Sequence, residues 1–220
     1  MEYLENPDYF GTLHNEVLED IIKNVNPYIH QNGHIKEAFE IAYSHISKTE
    51  YFKESGFSKR MASTLFTNSA FRSPIEDEII WRYPEYKWMF YFLSLNDGQD
   101  LDETLNFLEK AKANAVKDFK SFKRPRPRLI TDHITKLGAI SVASSSAQLW
   151  YDYNKNNDNI FAKTGPEDIA KADLGGAVSG AIAGAPAGPA GAAVGLGFGS
   201  IGASWGAFVV TVATGSDKSS

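Results

Sequence analysis

The chain has no cysteine, which excludes disulfides, thiolate nucleophiles and cysteine-based zinc sites and leaves the redox compartment open. It also lacks an excess of positive charge. With 22 Lys and Arg against 27 Asp and Glu the net charge is -5, so no long-range positive field gathers phosphates, and nucleic acid is not an expected partner. The opening residues, Met1 to Pro7, are acidic and contain no apolar stretch of the kind a secretory signal needs. The chain is therefore expected to be made in the cytoplasm, and to become membrane-associated or secreted by a route the sequence does not identify. Most informative is a local absence: residues 174–214 contain no charged side chain.

What is present is enough for a packed core. A content of 22% charged and 43% hydrophobic residues excludes wholesale disorder, and 220 residues allow one large domain or a domain with an appendage. Aromatics concentrate early and Gly and Ala late, which predicts two regions with different packing. Residues 1–128 read as a soluble helical domain ending in a basic, proline-rich linker. Residues 129–220 read as a small-residue helical region. The expected fold class is all-α.

Hydrophobic periodicity carries that expectation. Phe10, Leu13, Val17, Leu18, Ile21 and Ile22 recur at three- and four-residue spacing and predict a helix over 11–24, stopped by Asn26-Pro27. Ile35, Ala38, Phe39, Ala42 and Ile46 predict a second over 34–47. Ser58 caps a third that carries Met61, Ala62, Leu65 and Phe66 inward, with Phe71 closing the face. Ser73-Pro74-Ile75-Glu76 starts a fourth, and the aromatic run from Tyr86 to Leu93 is expected at the centre of the first domain. Leu101, Leu105, Leu108, Ala115, Phe119 and Phe122 extend a long helix whose polar face carries Lys110, Lys112 and Lys117. The stretch 123–128, with Pro125 and Pro127, is expected to be non-helical and to mark the domain boundary. One more helix is expected between Leu129 and Tyr153.

The strongest regularity lies in the uncharged segment. Gly176, Gly180, Gly184 and Gly188 fall every fourth residue, Gly191, Gly195 and Gly199 repeat the interval, and Gly202 and Gly206 continue it after a step of three. That spacing lines glycines along one stripe of a helix, where absent side chains let another helix approach to backbone contact. Each interior Gly costs roughly 1 kcal/mol of helix stability relative to Ala, so close packing or a bilayer must compensate. Pro186 and Pro189 predict a bend, making 174–214 a glycine-zipper hairpin with unequal arms. Residues 190–214 reach roughly 37 Å, enough to span a hydrocarbon core, whereas 174–185 reach only about 18 Å.

No catalytic constellation stands out. His30, His34 and Glu37 have metal-like spacing, but Asn32-Gly33 breaks the helix they would share, and no metal or other cofactor is expected. Asp132-His133 are adjacent and point apart on a helix. Gly202, Ser204 and Gly206 match a nucleophile-elbow pattern without the strand it requires. Glu76, Asp77 and Glu78 sit where a helix dipole selects acidic residues. His14, Asn15 and Glu16 form a polar trio inside an amphipathic helix and are the candidate cleft residues. Lys123, Arg124, Arg126 and Arg128 are candidates for contact with anionic lipid headgroups.

Asn6-Pro7, Gly11 and His14-Asn15-Glu16 resemble the opening motif of an uncharacterised group of Bacteroidetes-type bacterial proteins, some of which also end in a Gly/Ala-rich apolar tail. The resemblance implies a bacterial origin and carries no activity. The tail resembles the core of two-peptide bacteriocins, which pair helices through small-xxx-small motifs. An uncharged hairpin after a helical domain is also similar to the buried hairpin of colicin-type pore formers. The expected function is thus non-enzymatic association with a membrane or with another helix, its own copy included, through the hairpin, in a bacteriocin-like or pore-forming role. The alternative is a soluble helical enzyme or binding protein that buries the hairpin as core and has a cleft near His14 and the aromatics between Trp81 and Phe92.

Overall fold

The computed structural model describes residues 6–27, 33–71, 87, 101–122, 126–157 and 166–215. All regular structure among them is helical, and the fold is all-α. Helix α1 is Tyr9–Asn24, α2 Gly33–Ile46, α3 Glu50–Ser55, α4 Lys59–Phe71, α5 Leu101–Lys120, α6 Pro127–Asn156, α7 Pro166–Gly184 and α8 Gly188–Gly215, with a 3₁₀ turn Ala185–Ala187 between the last two.

Local chemistry sets these limits. On α1 the expected stripe is buried at Phe10, Val17, Leu18 and Ile21, and the chain turns extended at Val25, two residues before Pro27. Thr49 caps α3 by accepting the Phe52 amide at 3.3 Å, and Gly56, at φ 69°, ends it in the left-handed conformation that glycine adopts most readily. Ser58 caps α4 through the Met61 amide at 3.2 Å. Ala62 and Phe66 are buried there, but Met61 and Phe71, expected on the inner face, are 48% and 63% exposed. Phe122 is likewise exposed rather than packed. Pro127 and Arg128, expected outside any helix, form the first turn of α6: proline at the first helical position loses only an amide that has no partner there. The helix start at Ser73 and the aromatic run 86–93 lie outside the described residues, apart from the exposed Lys87.

The two regions expected on either side of 123–128 share one core. Helix α8 touches α7, α6, α4, α3, α2 and α1, and its residues 191–205 are all buried. Phe198 of α8 meets Phe39 at 5.9 Å and both Tyr43 and Phe52 at 6.4 Å, ring centre to ring centre. At the other end Trp150 of α6 stacks on Phe208 at 5.1 Å. The front aromatics thus close over the late small-residue helices, and the boundary expected from composition does not separate two cores.

Candidate functional site: the hairpin and a buried polar cluster at its root

Helices α7 and α8 form two arms joined by the turn at Ala185–Ala187, and Gly188 begins the return at φ 79°. A methyl group built on Gly176 would strike the backbone oxygen of Gly199, one on Gly180 that of Gly195, and one on Gly184 that of Gly191; the reciprocal overlaps hold for all three partners. These six glycines therefore lie opposite one another in antiparallel register, with backbone against backbone. Gly202 and Gly206 turn elsewhere, onto the backbone of Phe66 and Ala70 in α4, and Gly188 faces open space. The nine glycines expected to form one packing series thus divide among the arm pair, the α4 contact and the turn.

At the root of the hairpin lies Asp173, which is fully buried. Its Oδ2 accepts hydrogen bonds from the Ser146 hydroxyl of α6 and from Ser204 Oγ of α8 at 2.9 Å. The Trp150 indole N–H lies 3.2 Å from Ser204 Oγ and 3.4 Å from Asp173 Oδ2. His14 of α1 completes the cluster, with Nε2 3.5 Å from Asp173 Oδ2. Four helices converge here, and two buried atoms of the cluster have no hydrogen-bond partner among the described residues: His14 Nε2 and Asp173 Oδ1. An unmet buried polar group costs about 1–3 kcal/mol, so such a grouping is maintained against a stability penalty.

Burial drives both ionisable members toward their neutral forms. The Asp173 carboxyl is pushed from 3.8 up to about 7, because burial outweighs the hydrogen bonds from Ser146, Ser204 and Trp150 that favour the anion. Burial lowers the His14 imidazole from 6.5 to about 4, only partly offset by its hydrogen bond with Asn15. The 3.5 Å approach is therefore a contact between groups disfavoured as ions, not a conventional salt bridge.

The opening motif is what seats α1 here. Gly11 packs on the Ser141 carbonyl and leaves no room for a Cβ, while its amide, one of the unpaired donors of the first helical turn, donates to Ser141 Oγ at 2.9 Å. Asn15 Nδ2 donates to the Ser145 carbonyl at 2.9 Å. Asp8 pairs with Lys112 of α5, which also contacts Glu109 at 2.5 Å. Burial opposes the Lys112 charge, but Asp8 and Glu109 outweigh it and raise its pKa.

The other sequence candidates are dispersed. His14 is buried and Asn15 half-buried, but Glu16 is exposed, so the trio does not line a common cleft. Arg126 and Arg128 are exposed, whereas Lys123 and Arg124 lie outside the described residues, as does His30. His34 is half-buried and Glu37 exposed, and no metal-holding group occurs among the described residues. His133 stacks on Phe119 at 3.9 Å while Asp132 faces solvent. Ser204, the centre of the G-x-S-x-G match, is buried and bonded to Asp173. Sequence reasoning missed Asp173, Ser146, Trp150 and Ser204 as a group. The available signal was a carboxylate immediately preceding an uncharged apolar run. Comparison with family models, curated proteins and solved structures finds no match to this chain.

Proposed function

We propose that this is a non-enzymatic, membrane-associating helical protein that keeps a glycine-zipper hairpin wrapped inside its own bundle and delivers it to a bilayer. One observation carries the reading. Among the described residues, a single stretch, Asp168–Val212, is long and apolar enough to cross a membrane, and 78% of its most apolar window is buried in protein. Helix α8 alone, about 42 Å long at 1.5 Å per residue, has the span. Of the helices that cover it, α1 and α2 are amphipathic, so their separation would expose an apolar hairpin already folded on itself. Exposed Arg126 and Arg128, with Lys123 and Arg124, would favour anionic headgroups. Self-association through the six paired glycines requires an arm to exchange between copies, because those faces already occupy each other.

The test is flotation of the full-length protein with neutral and anionic vesicles, combined with quenching of Trp205 by brominated lipid. The expected result is a floating fraction, larger on anionic vesicles, with Trp205 quenched. A second reading, in which the hairpin is the permanent core of a water-soluble protein, is favoured by the fit of Gly202 and Gly206 to α4. Protein that stays unbound with both vesicle types would discard the membrane role and leave that second reading.

A further inference from the structure

The hydrogen-bond pattern around His14 fixes where its proton sits. Asn15 Nδ2 donates to the Ser145 carbonyl, so the side-chain oxygen of Asn15 is the atom 3.1 Å from His14 Nδ1. An amide oxygen can only accept, so Nδ1 carries the hydrogen, and in the neutral ring Nε2 is left with a bare lone pair. That lone pair has no donor, and the nearest ionisable group is the Asp173 carboxyl. On the carboxyl, Oδ2 is met by the Ser146 and Ser204 hydroxyls while Oδ1 meets nothing. An ionised Asp173 beside a neutral His14 would place acceptors against each other in a fully buried site. The arrangement lacks one donor hydrogen.

We propose that His14 and Asp173 together hold a single proton inside the fold, and that this shared proton fastens α1 to the root of the hairpin. The proposal goes beyond the membrane reading and stands whether or not the hairpin enters lipid. Its ligand is the proton itself, held by a carboxyl on α7 and an imidazole on α1 that are 159 residues apart in sequence.

The surroundings leave the pair isolated. His14 is the one ionisable partner within ion-pair distance of Asp173 among the described residues. Helix α8 brings no charge, only Ser204, and α6 brings Ser146 and Trp150. Of the ionisable groups on α6, His133 is stacked on Phe119, Lys136 is half-buried, and Asp132, Asp152 and Lys155 are exposed. On α7, Lys171 contacts Asp168; on α4, Lys59 and Arg60 are exposed; on α2, His45 is held by Asp20 at 2.9 Å and Lys36, Glu37 and Glu40 face solvent. Lys112 of α5 is engaged by Asp8 and Glu109. With one proton the site is neutral. Losing it leaves a buried carboxylate opposite a lone pair, and gaining a second creates a buried imidazolium.

The experiment is NMR on the full-length protein with ¹⁵N-labelled histidine and ¹³C-labelled aspartate, together with amide exchange along α1. The expected result is a neutral His14 in the Nδ1–H form at neutral pH and an Asp173 carboxyl that titrates far above ordinary carboxylates. Amide protection of α1, corrected for intrinsic exchange, should drop about three-fold between about pH 6 and about pH 9, most of it above about pH 6.5. In Asp173→Asn the amide supplies the missing hydrogen permanently, so that drop should vanish. A His14 ring in the Nε2–H form, an Asp173 already ionised near pH 5, or an unchanged drop in the variant would each overturn the proposal. The first two readings use the unaltered protein and do not depend on the variant folding.

Discussion

Gly180 and Gly195 lie backbone against backbone, each occupying the space where the other's Cβ would stand. Flexible side chains can move aside for an added methyl, but a backbone carbonyl in a buried helix pair cannot. Gly180→Ala gains roughly 1 kcal/mol of helix propensity, yet must push the two arms apart, and overpacking of this kind costs about 1–3 kcal/mol or more. The expected outcome is a net loss of about 2 kcal/mol, read as a lower denaturation midpoint at unchanged slope. Gly56→Ala is the control: open space surrounds it, and only its φ of 69° resists, so a loss of about 1 kcal/mol follows. A Gly180→Ala protein as stable as the parent would show that the arms are not in contact.

The titrations of Asp173 and His14 oppose one another. Asp173 has its folded pKa raised from 3.8 to about 7, so its contribution is complete below 3.8 and is lost as pH rises to about 7. His14 has its folded pKa lowered from 6.5 to about 4, so its contribution is complete above 6.5 and is lost as pH falls to about 4. Between about 4 and 6.5 the two slopes nearly cancel, and their contribution to stability should be flat. Each single variant unmasks the other group. Asp173→Asn should lose stability as pH falls through that window, and His14→Gln should gain it, each by about 3 kcal/mol. Denaturant titrations at several pH values check this, and slopes of the same sign in both variants would refute it.

Gly11 makes a sharper case, because helix propensity predicts the wrong direction. A glycine inside a helix is ordinarily improved by alanine, yet a Cβ on Gly11 would overlap the Ser141 carbonyl and the Ser145 hydroxyl of α6. Gly11→Ala should therefore destabilise by about 2–3 kcal/mol and weaken the α1 amides selectively, since α1 can no longer seat its amide on Ser141. Hydrogen exchange resolves the two effects. A stabilised variant with full α1 protection would mean that α1 docks some other way.

These relationships mark what the residues disclose locally. The stripe from Phe10 to Ile21 is periodic, so the existence and inner face of α1 follow from spacing alone. The same logic located the bend near Pro186 and the close packing of Gly180 and Gly184. It failed where the partner mattered more than the period. Met61 and Phe71 have suitable spacing, but nothing in sequence tells how far the covering helices extend over α4. Helix α3, only six residues long, gives no periodic signal and is defined by the Thr49 cap and the Gly56 stop. Gly202 and Gly206 continue the spacing of the arm glycines yet face α4, because the shorter arm contributes Gly176, Gly180 and Gly184 as its paired positions and no more. Ser146 lies in a run of serines with no local sign that it would meet Asp173. The cluster is a product of topology, which brings α1, α6, α7 and α8 to one point.

The docking of α1 also gives the membrane reading a direct test. Asn15 and Ser145 are held together by the hydrogen bond from Asn15 Nδ2 to the Ser145 carbonyl, and the chain has no cysteine to compete for pairing. Replacing both, Asn15→Cys with Ser145→Cys, lets oxidation fix α1 to α6 and reduction release it. If α1 must leave before the hairpin reaches lipid, the oxidised protein should remain unbound in vesicle flotation while the reduced protein, which has lost the Asn15 docking bond, floats at least as well as the parent. Full-length protein is needed, because the hairpin is part of the shared core and its deletion would remove the packing that holds the other helices. Loss of near-ultraviolet circular dichroism in the oxidised form would expose a misfolded cross-link. Equal flotation by a folded oxidised protein and its reduced form would place the exit of the hairpin elsewhere, since α1 would then be no barrier to it.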